Sequence, residues 1–316
     1  MTLYADGISH FGMTVANIST TIGSLHLKNP TILASGIMDE DAGSMQRIIS
    51  NGAGAIVTKS IGVLPREGYP NPSLLELENG LLNAMGLPNP GIEHYGQEMK
   101  KMQRSIVPII GSIFGANSKE FTVLAQKMER YGASAVELNV SCPHAKHYGL
   151  EVGCDATSVQ KIVSSVKGKT HIPVFVKISP NVTNIVEIAK AAERGNADGI
   201  VAINTIKAMK IDLDSERPIL AHKTGGYSGR AIKPIGIRCV YEISEQVTIP
   251  IIGVGGITTG EDAIEYFMAG ASAVQIGSAV YYRGVDVFRH ICKEISQWMN
   301  SHHYQKISEL IGVAHL

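Results

Sequence analysis

The sequence predicts an α/β protein folded as a TIM (β/α)8 barrel, with an N-terminal β-hairpin and long strand-to-helix loops. Eight short runs of β-branched and small apolar residues recur along the 316 residues, and each is followed by a longer stretch with helical spacing. The runs are apolar on both faces, as strands of a parallel sheet covered by helices must be. Eight such units in about 250–300 residues fit a closed barrel, whereas an open doubly wound sheet would need about six strands.

The elements follow in a regular order. Residues 17–30 are predicted to form a small hairpin that covers the N-terminal mouth of the barrel. The predicted strands are residues 31–35, 55–60, 107–113, 134–140, 173–179, 199–205, 250–256 and 272–278. The predicted helices are residues 40–51, 92–104, 118–131, 156–168, 182–194, 232–246, 260–269 and 284–299. Three helices are expected to end with a glycine in the left-handed conformation, at Gly132, Gly195 and Gly270.

Two predicted connections are too long to be turns, namely residues 61–91 after the second strand and residues 205–231 after the sixth. Long loops in a compact domain are usually functional, and loops that follow the strands of a TIM barrel line its active-site face. No low-complexity block or Pro/Ser-rich linker divides the chain, so residues 1–316 are predicted to form a single domain.

Composition excludes several classes of partner. The 28 Lys+Arg residues balance the 28 Asp+Glu residues, so the concentrated positive surface that nucleic-acid binding needs is not expected. No run of 18 apolar residues is present, and the N-terminal residues do not have the pattern of a signal peptide. The sequence therefore predicts a cytoplasmic protein that binds neither nucleic acid nor membrane.

Four scattered cysteines, Cys142, Cys154, Cys239 and Cys292, include no C-x-x-C pair. In a reducing cytosol each is expected to be a small buried thiol. Cys142, on the loop after the fourth strand, could instead be a nucleophile, a proton-transferring group or a metal ligand. Its spacing from His144, His147 and Cys154 matches no common zinc pattern, so no metal is predicted.

Polar residues collect where the predicted strands end. Because the carboxyl ends of barrel strands meet at one mouth, these side chains are expected to converge there. They are Ser35, Lys59, Ser60, Ser112, Asn139, Lys177, Asn204 and Thr205, followed by the glycine-containing pairs Gly255-Gly256 and Gly277-Ser278.

The two glycine-containing pairs follow the seventh and eighth strands, where TIM barrels often bind phosphate with backbone N–H groups. Residues 224–229 could close over the same phosphate. Lys59 and Lys177 end apolar strands, and a desolvated ammonium there needs an anion. No G-x-G-x-x-G dinucleotide fingerprint is present, since residues 253–258 fail at the last position. These residues suggest a phosphorylated planar cofactor over which asparagines hold a small polar substrate.

Several segments of the chain match one known family in sequence and in order. They include VTKSI (57–61), NAMGLPNPG (83–91), ELNVSCP (137–143), VKISPNVT (176–183), INT (203–205), TGGYSGRAIKP (224–234), IPIIGVGGI (249–257) and AGASAVQIGSA (269–279). Through these segments the chain resembles the dihydroorotate dehydrogenase family over nearly its whole length. The cysteine of SCP, where the membrane-associated class has serine, places the resemblance with the soluble class 1 enzymes, most closely the class 1B catalytic subunit.

The resemblance implies FMN as cofactor and dihydroorotate oxidation to orotate as activity, with Cys142 as the base that removes the C5 proton while hydride leaves C6 for the flavin. The FMN contacts it implies are Ser35, Lys59, Ser60, Ser112, Asn139, Lys177, Ile203, Gly229, Gly255, Gly256, Gly277 and Ser278. The substrate contacts it implies are Lys59, Asn83, Ala84, Met85, Gly86, Leu87, Asn139, Asn204 and Thr205.

Two positions depart from the family pattern. His144 follows SCP where the family usually has asparagine, and Ser112 stands where related enzymes often have asparagine. Because SCPH also occurs in the FMN domain of dihydropyrimidine dehydrogenase, a uracil- or thymine-reducing activity is the alternative. The class 1B resemblance further implies a homodimer, or a heterotetramer with an FAD and 2Fe–2S subunit that passes electrons to NAD.

Overall fold

The computed structural model describes residues 16–140 and 153–315. In chain order the strands are β1 (Thr20–Ile22), β2 (Leu25–Leu27), β3 (Thr31–Leu33), β4 (Ala55–Val57), β5 (Leu74–Leu77), β6 (Gly80–Asn83), β7 (Ile109–Ile113), β8 (Ala135–Asn139), β9 (Val174–Ile178), β10 (Gly199–Ala202), β11 (Ile206–Ala208), β12 (Ile211–Asp212), β13 (Arg217–Pro218), β14 (Gly225–Ser228), β15 (Ile251–Val254) and β16 (Ala271–Ile276). The helices are α1 (Ala42–Ser50), α2 (Ile92–Met102), α3 (Ser118–Arg130), α4 (Ala156–Lys167), α5 (Ile185–Arg194), α6 (Lys233–Ser244), α7 (Gly260–Met268), α8 (Ala279–Arg283) and α9 (Val287–Ser301).

Eight parallel strands close into a barrel in the order β10-β15-β16-β3-β4-β7-β8-β9. Each of the eight predicted strands is a strand of this barrel, so the predicted TIM-barrel fold is confirmed. The observed strands stop earlier than predicted, as at Leu33 and Ala202, because the polar residues that follow turn towards the mouth instead of continuing the hydrogen-bonded ladder. The short helix α8, which precedes the last predicted helix, was not predicted.

The helices pack on the outside of the barrel through amphipathic faces. In α3 the buried residues Phe121, Leu124, Ala125 and Met128 recur at the three- and four-residue spacing that puts them on one face. Its N-terminus is capped by Asn117, whose side chain accepts hydrogen bonds from two backbone N–H groups of the first turn. The large cluster between helices and barrel includes the outward-facing residues of the strands.

The interior of the barrel has its own apolar cluster, and the N-terminal hairpin completes it. Ile22, Leu25 and Leu27 of the hairpin pack with inward-facing residues of the barrel strands. Thr20 Oγ1 donates a 2.8 Å hydrogen bond to the carbonyl of Ser272, close to where β16 begins. The hairpin therefore closes the N-terminal end of the barrel, as predicted.

Two of the three glycine predictions at helix ends are confirmed, with positive φ at Gly132 and Gly270. The third is wrong, because Gly195 has φ −76° and the left-handed residue is Asn196, with φ +66°. A Cβ at Gly195 would lie 2.7 Å from the Cβ of Val163 on α4. Glycine is therefore needed at residue 195 for the close approach of α5 to α4.

The two long connections pair with each other into a sheet that the sequence did not predict. Its strand order is β11-β14-β6-β5, so each connection contributes two adjacent strands, and the two pairs join where β14 of residues 205–231 lies antiparallel to β6 of residues 61–91. Leu82, Ala84 and Leu220 form a small separate core on this sheet. We call it the lid sheet. Among the described residues, no helix has the length and apolar character needed to cross a membrane.

Candidate functional site

A cavity of about 420 Å³ opens at the C-terminal end of the barrel and is bounded by the lid sheet. Its wall combines residues that follow barrel strands with Leu81 and Asn83 of β6 and Ser228 of β14. This is the end of a TIM barrel at which active sites are found, and the volume is within the usual range for small-molecule sites.

Most of the predicted site residues line this one cavity. Of the predicted cofactor contacts, the cavity is lined by Ser35, Lys59, Ser60, Asn139, Lys177, Ile203, Gly229, Gly255, Gly256, Gly277 and Ser278. Of the predicted substrate contacts, it is lined by Lys59, Asn83, Met85, Gly86, Leu87, Asn139, Asn204 and Thr205.

Three predicted residues are placed differently. Ser112 is fully buried behind the wall, where its hydroxyl lies 2.8 Å from that of Ser60. Ala84 is buried in the core of the lid sheet instead of lining the cavity. The predicted base Cys142 and the unusual His144 lie outside the described residues.

Ser60 is the centre of a hydroxyl and amide network on one wall. Its Oγ lies 3.2 Å from the Oγ of Ser35 and accepts a 3.1 Å hydrogen bond from Nδ2 of Asn139. Together with Ser112, these contacts join the ends of four barrel strands. The network fixes the Asn139 amide at the cavity wall, because its NH2 group donates to Ser60.

A buried polar group forms the cavity floor. Lys177 Nζ donates a 3.0 Å hydrogen bond to Oε1 of Gln275, and Gln275 Nε2 donates a 2.6 Å hydrogen bond to Oε2 of Glu137. Lys177 and Gln275 line the cavity, whereas Glu137 lies beneath them and is fully buried. Sequence reasoning identified Lys177 and missed the other two, because their strands were interpreted only as apolar runs.

Two acidic residues, Asp39 and Glu40, lie beside the part of the cavity wall that follows β3. Burial raises the pKa of Asp39 to about 6, and its Oδ2 accepts a 2.5 Å hydrogen bond from the backbone N–H of Gly36, which lines the cavity. Lys59 Nζ forms an ion pair with the exposed Glu40 at 2.9 Å. The carboxylate of Glu40 is thus the anion that pairs with Lys59 in this structure.

The rim after β15 and β16 is made of backbone. Gly255 and Gly256 have positive φ, and a Cβ at Gly256 would lie 2.8 Å from the carbonyl oxygen of Gly229. The nearest atom to a Cβ at Gly277 is Ala34 Cβ at 3.5 Å, so a side chain there would extend into free space at the cavity wall. Tyr266 Oη donates a 2.7 Å hydrogen bond to the carbonyl of Gly255, which fixes this turn from behind.

The described cysteines lie away from the cavity. Cys239 is buried as expected, and burial raises the pKa of its thiol to about 11. Cys292 is half-buried beside Thr31, with its pKa also raised to about 11 by burial. The expectation of burial is wrong for Cys154, which is exposed just before the first turn of α4. Residues 16–140 and 153–315 contain no group of three His, Cys, Asp or Glu side chains placed to hold a metal.

Comparison with known proteins agrees with this geometry. The family profile described as dihydroorotate dehydrogenase matches residues 17–299. The chain is 52% identical to the dihydroorotate dehydrogenase B (NAD(+)) catalytic subunit of Thermoplasma volcanium, over 95% of this chain and 99% of that protein. It is 51% identical to the protein of the same name from Methanocaldococcus jannaschii, over 94% and 98% of the two chains. The Pyrococcus furiosus protein of that name is 49% identical, over 94% and 99%. The chain belongs to the dihydroorotate dehydrogenase family.

Proposed function

We propose that this protein oxidises dihydroorotate to orotate in de novo pyrimidine biosynthesis, with FMN as its bound cofactor. The observation that carries the proposal is the convergence of Lys177, Asn139 and the glycine rim on one cavity at the active-site end of the barrel. The relatives support the same reaction, because those at about 50% identity are named as catalytic subunits of dihydroorotate dehydrogenase B.

The residues of the cavity suit FMN. The rim offers the backbone N–H groups of Gly255, Gly256 and Gly277, which have no side chains, together with the backbone and hydroxyl of Ser278, and such groups suit a phosphate. The floor offers the ammonium of Lys177, which would stabilise negative charge on the pyrimidine edge of a flavin. When bound there, FMN supplies the acceptor for the hydride released from the substrate.

The chain's own residues orient the substrate and take up its proton. The carboxamides of Asn83, Asn139 and Asn204, with the Lys59 ammonium, would hold a planar pyrimidine carboxylate at the mouth. Two of these amides are already fixed, because Asn83 Nδ2 donates to the carbonyl of Gly226 and Asn204 Oδ1 accepts from the N–H of Thr205. Such fixed groups favour reaction by alignment. Cys142 then accepts the C5 proton, since a thiolate is an effective base near neutral pH.

The names of the relatives support a proposal for the acceptor that takes the electrons from the reduced flavin. Those proteins are called catalytic subunits of an NAD(+) enzyme, which supports a separate electron-transfer subunit for this chain. We assign to that partner the FAD and 2Fe–2S centre, and to this chain a homodimer at the centre of a heterotetramer. The assembly would work in the cytoplasm.

The test is an anaerobic titration of the purified, FMN-loaded protein with dihydroorotate and, separately, with dihydrouracil. The proposal expects dihydroorotate to bleach one flavin per chain and dihydrouracil to have no effect. Bleaching by dihydrouracil alone would favour the dihydropyrimidine dehydrogenase alternative. A protein that binds no FMN under any loading condition would contradict both.

A further inference from the structure

The buried carboxylate of Glu137 has no role in the reaction as described, yet it lies directly beneath the proposed flavin site. Its side chain is 1% exposed, and Oε1 has no hydrogen-bond partner among the described residues. That oxygen lies 3.8 Å from Nζ of Lys177, whose side chain is 7% exposed. Burying a carboxylate with one oxygen that lacks a hydrogen bond lowers the stability of the fold, so such a group calls for an explanation. Holding another group in place is one such explanation.

Strand periodicity explains how the three residues come together. Successive side chains of a strand alternate between the two faces, so Glu137, Lys177 and Gln275 point into the barrel from β8, β9 and β16. The residues two positions earlier belong to the apolar interior cluster, and they are Ala135, Phe175 and Ala273. The three polar residues therefore form a single layer between the apolar interior cluster and the cavity.

We propose that Glu137 is a positioning residue that, together with Gln275, holds the Lys177 ammonium in place for the pyrimidine edge of the bound flavin. The Lys177 side chain is buried between the apolar interior cluster and the cavity, and its ammonium contacts Gln275 at 3.0 Å and Glu137 at 3.8 Å. Gln275 fixes the geometry, since it accepts from Lys177 and donates to Glu137 at the same time. The inference rests on the proposed FMN site and goes beyond it, by assigning a function to a residue that touches neither cofactor nor substrate.

The midpoint potential of bound FMN shows whether Glu137 positions Lys177 or only lies near the flavin. The two cases predict shifts of opposite sign when the carboxylate is removed. Removing a carboxylate that merely lies near the flavin would raise the potential, since a lost negative charge favours uptake of electrons. Removing the carboxylate that holds Lys177 would lower the potential, because the ammonium that stabilises the reduced flavin is no longer kept in position beside it. The sign does not depend on measuring turnover.

The experiment measures that potential in Glu137→Gln, Lys177→Met and the double variant. We expect Glu137→Gln to reduce the preference for reduced over oxidised FMN by at least tenfold, about 30 mV for a two-electron couple. Lys177→Met should shift it in the same direction, and adding Glu137→Gln to Lys177→Met should lower the potential no further. If Glu137→Gln does not fold, Gln275→Met carries the same prediction, since it removes both hydrogen bonds and keeps the side-chain length.

Thr31→Val is the matched control, because Thr31 is a fully buried polar residue of β3 whose hydroxyl bonds Asn29 and not Lys177. It should leave the potential unchanged even if it destabilises the fold. A raised potential in Glu137→Gln, or the same shift with and without Lys177, would overturn the inference and leave the proposed function intact. Failure of the unsubstituted protein to bind FMN would overturn the proposed function and this inference with it.

Discussion

The two ends of the barrel are built from the same eight strands, and they differ in what the inward-facing positions carry. At the N-terminal end these positions are apolar, and Ile22, Leu25 and Leu27 of the hairpin seal them. Towards the C-terminal end, two residues further along four of the strands, they become Glu137, Lys177, Gln275 and Ser112, all buried. The change from apolar to polar inward-facing residues therefore takes place from one layer of side chains to the next.

The difference shows how one fold separates stability from chemistry. The apolar end gains free energy from burial and offers nothing to a ligand. The polar end holds a carboxyl with a raised pKa and a carboxylate oxygen without a hydrogen-bond partner among the described residues, both of which cost stability. Substitutions at the two ends should therefore affect different measurements.

The largest effect on the chemistry assigned to the polar end is expected from Cys142→Ala. Loss of the proposed base should lower turnover of dihydroorotate by about 10²–10⁴-fold, the usual contribution of a positioned acid–base group. Because the role proposed for Cys142 is proton transfer alone, FMN binding and the free energy of unfolding should not change. Stopped-flow reduction of the flavin measures the step directly, and unchanged turnover would remove Cys142 as the base.

At the apolar end, Phe175→Ala should have the opposite profile. Phe175 is fully buried in the interior cluster, so its truncation should lower the free energy of unfolding by about 3–5 kcal/mol. Denaturant unfolding of the FMN-free protein measures this loss. The flavin content of each folded molecule should stay near that of the unsubstituted protein, and loss of flavin without loss of stability would contradict the division between the two ends.

The pH dependence of stability should reveal the cost at the polar end. Burial raises the pKa of Asp39 from 3.8 to about 6, so between these values the folded protein binds the proton more tightly than the unfolded chain. The free energy of unfolding should then fall as the pH rises from about 4 to about 6, by on the order of 3 kcal/mol.

Asp39→Asn should remove this slope and stabilise the protein at pH 7 but not at pH 4. Denaturant unfolding at both values checks the prediction. Asp41→Asn is the control, since Asp41 is exposed and hydrogen bonds from Ser44 lower its pKa, which gives a slope of the opposite sign. Equal behaviour of the two variants at pH 7 would show that burial of Asp39 has no measurable cost.

The smallest effect is expected for Cys154→Ala, outside both ends. Cys154 is exposed before α4, so its loss should change the free energy of unfolding by no more than about 0.5 kcal/mol. Turnover should also be unchanged, which makes this variant the natural comparison for Cys142→Ala. A strong loss of turnover would show that the second loop cysteine takes part in the chemistry.

The barrel was predictable from the sequence because its strands are apolar on both faces, and that pattern depends only on local composition. The polar residues at strand ends were predictable for the same reason, since Lys59 or Lys177 stands out against apolar neighbours. Glu137 and Gln275 were not, because their importance depends on three strands meeting in one layer. The lid sheet was missed because β6 and β14 pair across more than 140 residues of chain. Gly195 was misassigned because its role depends on the distance between two helices.

A crystal structure of the protein with FMN and orotate tests the central claim most directly, that the polar end of the barrel is a flavin site. We expect the phosphate against the backbone of Gly255, Gly256, Gly277 and Ser278, with the pyrimidine edge of the flavin at Lys177 and orotate among the asparagines. FMN bound elsewhere on the protein, or a phosphate that does not contact this rim, would contradict it.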